Sequence, residues 1–88
     1  MDVSFSSSFK RAFKKRIKGN TNLETRFWQK LETFTGNPFD PSLKTHKLSG
    51  KLNELWNFSI EYDARVLFYF PEDDRAVFVD VGSHDEVY

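Results

Sequence analysis

Residues 55–88, LWNFSIEYDARVLFYFPEDDRAVFVDVGSHDEVY, alternate between apolar and polar positions in three consecutive segments. Period two is the mark of a strand with one buried face. In the first segment Trp56, Phe58 and Ile60 point one way, and Asn57, Ser59, Glu61 and Asp63 the other. In the second, Val66, Phe68 and Phe70 oppose Arg65, Leu67 and Tyr69. In the third, Val77, Val79 and Val81 oppose Phe78 and Asp80. The residues between them, Tyr62-Asp63-Ala64 and Pro71 to Arg75, carry turn chemistry. The pattern predicts an antiparallel meander with one dry face. The other face carries Asp63 and Arg65, and the tail His84-Asp85-Glu86 returns at its edge.

The N-terminal half has a different period. Val3 to Ser6 can form a short edge strand, and Ser6 or Ser7 can cap a helix. Phe5, Phe9, Phe13 and Ile17 then recur every four residues, with lysines and arginines around them, until Gly19-Asn20. Asn20, Thr21 or Asn22 caps a second helix, with a stripe of Leu23, Phe27, Leu31 and Phe34 widened by Trp28. Gly36-Asn37-Pro38 ends it. Two stripes joined by a tight turn make an αα-hairpin, and the apolar sheet face is the surface large enough to cover both. The expected fold is therefore α+β: an N-terminal αα-hairpin on a mostly antiparallel meander, in one domain spanning 1–88. Residues 36–52 read as the connecting loop, with Lys44, His46, Lys47 and Lys51 in it.

An 88-residue chain buries a modest fraction of its surface. Ten Phe, three Tyr and two Trp offset this, because each ring removes much apolar area from water. The chain has no Cys, which excludes a disulfide framework and a thiolate metal site. Neither an apolar leader nor a membrane-length segment stands in the sequence, so the expectation is a soluble, cytoplasmic protein. The net charge is zero but uneven: residues 1–20 hold six Lys/Arg and one Asp, whereas residues 53–88 hold two Lys/Arg and nine Asp/Glu. A basic helix beside an acidic sheet suits either a solvated face or a phosphate- or acid-bearing partner.

Both histidines of the chain, His46 and His84, fall in the half that also holds Asp63 and Arg65. Each has a plain structural role: a loop or capping histidine, a turn aspartate, half of a surface ion pair. Together they suffice for RNA cleavage by the RNA's own 2′-hydroxyl. A base takes the 2′-OH proton, a cation steadies charge on the phosphoryl oxygens, and an acid protonates the leaving 5′-oxygen. That chemistry needs no metal and no cofactor. Phosphate loops, zinc-protease helices and serine-hydrolase elbows are absent from the sequence.

The string His46-Lys47-Leu48-Ser49-Gly50, then Trp56, then Ile60 to Val66, then Val81-Gly82-Ser83-His84-Asp85-Glu86-Val87-Tyr88 resembles the RelE/ParE superfamily of toxins. Within it the YafQ-like branch is the nearer match, and Asn37-Pro38 and Leu43-Lys44-Thr45-His46 agree with it. The resemblance implies a toxin of a type II toxin–antitoxin pair: a ribosome-dependent endoribonuclease that cuts mRNA in the decoding site. It places His46, Asp63 and His84 at YafQ-like catalytic positions and Tyr88 at an aromatic one. Two departures stand out. Ser59 occupies the place of a further histidine, and the sheet half is acid-rich.

The expected roles follow. His84 is the general acid or stabilises the leaving oxygen, and Asp63 or His46 is the base. Arg65 steadies the phosphate, and Tyr88 stacks on or orients a base. Lys10, Lys14, Lys15, Lys44 and Lys47 hold rRNA phosphates. The expected partners are the ribosome, mRNA and an antitoxin that lies along the basic helix or covers the site. The alternative functions are a ParE-like toxin that inhibits DNA gyrase without nuclease chemistry, and a degenerate domain with no activity.

Overall fold

The computed structural model describes residues 1–48 and 54–83. Among these, the order is strand β1 (Asp2–Phe5), helix α1 (Ser7–Arg16), helix α2 (Thr21–Gly36), a 3-10 turn (Pro41–Leu43), and strands β2 (His46–Lys47), β3 (Trp56–Glu61), β4 (Ala64–Glu72) and β5 (Arg75–Gly82). The strands form one sheet in the order β1-β5-β4-β3-β2. Every pair is antiparallel except β1 with β5, which is parallel. The expected α+β architecture is thus present, edge strand included.

Local chemistry explains the boundaries. The Ser6 hydroxyl accepts from the Phe9 amide at 3.1 Å and caps α1. Asn20 Oδ1 accepts from the Leu23 amide at 3.1 Å and caps α2. Between the helices Gly19 adopts φ 94°, a conformation that a Cβ disfavours. Within the connecting loop, residues 36–48 are more structured than its two prolines suggest. Asp40 caps the 3-10 turn by accepting from Ser42, buried Leu43 pins that turn to the core, and His46-Lys47 pairs with β3. Proline at the first position of a short helix is tolerated because its missing N–H had no partner there. Pro71 lies inside β4, beyond the last β3 partner, so its missing donor costs no bond with β3.

The core is a lattice of phenylalanines. Phe9, Phe27, Phe34, Phe58, Phe68 and Phe78 are fully buried. Phe78 lies at the centre: its ring meets Phe9 at 5.5 Å from α1, Phe34 at 5.3 Å from α2, and Phe58 at 5.5 Å and Phe68 at 6.0 Å from the sheet. Edge-to-face contacts such as Phe34–Phe68 (5.0 Å, 85°) add to the area they bury.

The simple alternation of the third segment fails here. Leu67 pairs with Asp80, but Phe68 pairs with Phe78, so Val79 is an extra residue in the ladder. This bulge brings both Phe78 and Val81 onto the buried face and leaves Val77 and Val79 half-buried on the other. The bulged backbone is satisfied locally. The Ser8 hydroxyl donates to the Val79 carbonyl at 2.6 Å, and Asp80 Oδ1 accepts from the Val81 amide at 2.8 Å. Trp28 also departs from expectation: it is 47% exposed, leaning on Phe27 and Phe13 at the rim of the helix pair.

Candidate functional site

The sheet face turned away from the helices carries a cluster of polar side chains. Paired residues in neighbouring strands share a face. His46 pairs with Asn57, Asn57 with Leu67, and Ser59 with Arg65, so His46, Asn57, Ser59 and Arg65 belong to that face. Asn57 joins them. Its Nδ2 donates to the His46 carbonyl at 3.3 Å, and its Oδ1 accepts from Arg65 Nη1 at 3.4 Å. Arg65 is only 7% exposed. Burial pushes its guanidinium pKa below the usual arginine value, and nearby Tyr62 pulls the other way. An arginine so placed still carries its charge at neutral pH. It is also held in position, as a phosphate-directed cation needs to be.

His46 is set by the loop before it. Lys44 takes a left-handed conformation, φ 52°, at the end of the 3-10 turn. Its carbonyl lies 2.8 Å from His46 Nδ1. A carbonyl only accepts, so Nδ1 carries the proton and Nε2 is the basic nitrogen of the neutral ring. In that tautomer Nε2 carries the ring lone pair that can accept a proton.

Asp63 is exposed in the two-residue turn between β3 and β4, two positions before Arg65. Ser59 lies at a register slip in β3, and its hydroxyl donates to the Glu61 carbonyl at 2.9 Å. The residue that departs from the resemblance is thus engaged in shaping the strand end. His84 and Tyr88 lie outside the described residues, as does Lys51.

The lysines divide. Lys10, Lys14 and Lys15 ride on α1, which packs on β5, so they belong to the helical layer rather than to the face of His46 and Arg65. Lys47 follows His46 in β2 and therefore points to the opposite face, where its Nζ lies 6.0 Å from the Trp56 ring centroid. Lys44 stays exposed at the β2 edge. Two features escaped sequence reasoning. Asn57 looked like any outward strand residue. Phe39, in the loop, gave no hint that it joins Trp56 and Phe70. Among the described residues no group of His, Asp and Glu is arranged to hold a metal ion, and no helix is long and apolar enough to cross a membrane.

The fold has counterparts among known proteins. Among curated proteins none matches the chain by sequence. Solved structures match its fold. A YoeB/ParE toxin from Agrobacterium tumefaciens superposes with a TM-score of 0.77 at 14% identity, covering 96% of this chain and 99% of that one. YafQ from E. coli strain BL21(DE3) gives 0.68 at 19% identity, over 99% and 97% of the two chains. The YoeB–YefM complex from Staphylococcus aureus gives 0.75 at 16%, over 96% and 97%. The model of the family described as "Bacterial toxin of type II toxin-antitoxin system, YafQ" matches residues 1–88. With its whole length matched, the chain belongs to the YafQ family of bacterial type II toxins.

Proposed function

We propose that this toxin is a ribosome-dependent endonuclease that cleaves mRNA without a metal, using the RNA's own 2′-hydroxyl. The observation that carries the reading is the Asn57 bridge, which ties the His46 strand to a buried arginine on one sheet face. His46 Nε2 or the Asp63 carboxylate takes the 2′-OH proton. The alkoxide attacks the phosphorus, and Arg65 balances the charge that builds on the non-bridging oxygens. His84 donates the proton that leaves with the 5′-oxygen, giving a 2′,3′-cyclic phosphate and a 5′-hydroxyl. Tyr88 stacks on or orients a base. Lys44 and the lysines of α1 hold rRNA phosphates on their respective sides.

An antitoxin partner follows from the family. Its proposed seat is the basic helix α1. There Phe5, Phe9, Phe13 and Trp28 line an apolar hollow of about 200 Å³ with Lys10 at its rim, and β1 is an edge strand of the sheet. An acidic segment with apolar anchors suits that surface.

The test is primer extension on a defined mRNA bound to purified ribosomes. Discrete cuts in the decoding site that vanish without ribosomes, and that His84→Ala abolishes with its fold intact by circular dichroism, support the reading. Growth arrest without cuts moves the function to gyrase inhibition, and neither cuts nor arrest leaves an inactive domain.

A further inference from the structure

At the end of the sheet away from the Tyr62-Asp63 turn, Met1, Pro38, Phe39, Trp56, Phe70 and Asp73 line an open hollow of about 250 Å³. Three rings form its wall. Phe39 meets Trp56 at 5.4 Å (75°) and Phe70 at 6.0 Å (33°), and Trp56 meets Phe70 at 5.6 Å (72°). Phe39 is 53% exposed, yet its backbone is fixed. Its amide donates to Asn37 Oδ1 at 3.0 Å, and the Asp40 amide donates to the Asn37 carbonyl at 3.0 Å. A large ring held rigidly in water is a binding surface prepared in advance.

Charge around the rings is arranged by sign. Lys47 Nζ lies 6.0 Å from the Trp56 ring centroid, and the Asp73 carboxylate lies on the rim of the hollow. We propose that this hollow is a stacking platform for one base of single-stranded RNA, with Lys47 holding the adjoining phosphate. The base covers the exposed face of Phe39, since every base has a π face to offer. Asp73 repels phosphate and so directs the backbone to the Lys47 side.

The platform rests on the nuclease reading and extends it. His46 and Lys47 are consecutive in β2, an edge strand of the sheet, and point to opposite faces. RNA draped over that edge presents one nucleotide to the rings and its neighbour to His46. A protein segment is a poorer fit, because the apolar surface is three rings wide and is bounded by charge at both rims.

The experiment titrates the toxin with a fully 2′-O-methylated oligoribonucleotide and reads Trp56 fluorescence in a Trp28→Phe background, where Trp56 is the sole tryptophan. The expected result is saturable quenching. Phe39→Ala weakens binding about tenfold, on the scale of one stacked base, and Phe39→Tyr restores it. Lys47→Gln lowers the slope of log affinity against log salt by about one. The probe has no 2′-hydroxyl and no ribosome is present, so binding is measured apart from cleavage. Binding by a toxin that never cleaves upholds the platform without the nuclease. Cleavage with affinity indifferent to Phe39→Ala upholds the nuclease and overturns the platform. Quenching by the cognate antitoxin but not by the oligonucleotide makes the occupant a protein segment and also overturns it.

Discussion

Asn57 Oδ1 accepts a hydrogen bond from Arg65 Nη1 at 3.4 Å, and both side chains are buried. The amide thereby fixes a cation that water would otherwise leave mobile. Its other end holds β2 through the His46 carbonyl. Asn57→Ala removes both contacts, one of them to a buried guanidinium. The expected cost is about 1–3 kcal/mol of stability. Single-turnover cleavage of ribosome-bound mRNA falls at least about tenfold through the misplaced guanidinium, a loss of about 1.4 kcal/mol in transition-state stabilisation. Urea titration and single-turnover kinetics on the same preparation separate the two effects. A loss of stability with cleavage intact reduces Asn57 to a structural residue.

Phe78 and Val79 test the bulge in β5. Phe78→Ala opens a cavity at the meeting point of both helices and the sheet, with an expected cost of about 3–5 kcal/mol. That is a large share of the margin of a domain this size. Val79→Ala, at the half-buried bulge, costs less than about 1 kcal/mol. A regular period-two strand with its valines inward predicts the opposite order. Equilibrium urea unfolding of the two variants decides between them.

Gly19 is required by conformation rather than by space. A Cβ built there meets nothing within 4 Å, but φ is 94°. Gly19→Ala therefore costs about 1–2 kcal/mol through backbone strain alone. Gly19→Asn costs less, since asparagine tolerates left-handed conformations. Thermal melts of the three proteins give the ranking, and equal melting temperatures contradict it.

Asp40 makes the acid limb of stability depend on a helix cap. Hydrogen bonds from the Ser42 side chain and then the Ser42 backbone, with the charge of Lys30, hold its carboxyl below the usual carboxylate value, against the opposing effect of desolvation. The folded state therefore favours the ionised form. The resulting stability is fully present above the unfolded pKa of about 4 and is lost as pH falls through the lower folded value. Parent and Asp40→Asn melting curves differ near neutral pH, and the gap begins to narrow at about pH 4 and closes once the pH is below the folded value. A gap that stays constant across that window removes ionisation of Asp40 from the account.

Much of the architecture was present in the order of residues. The four-residue recurrence of Phe9, Phe13 and Ile17 (Phe5, read as part of the same stripe, lies in β1 instead), the capping choices at Ser6 and Asn20, and the alternation through β3 and β4 depend on neighbours in the chain. Such short-range physics can be read one segment at a time. The resemblance of the same residues to the YafQ branch agrees with the family match over the whole chain.

Tertiary structure decided the rest, wherever a residue's role depends on a partner far away in sequence. Val79 became a bulge because Phe78 has to reach Phe9 and Phe34 while Val81 stays opposite Val66. Asn57 became a bridge because pairing of β2 and β4 on either side of β3 puts a carbonyl and a guanidinium within its reach. His46 and Lys47, adjacent in the chain, were parted by the pleat of β2. The lysines of α1 were carried to the helical layer by the same phenylalanines that announced the helix. Local periodicity determines which elements form. The register between elements determines which side chains meet, because a single inserted residue changes the face of everything after it.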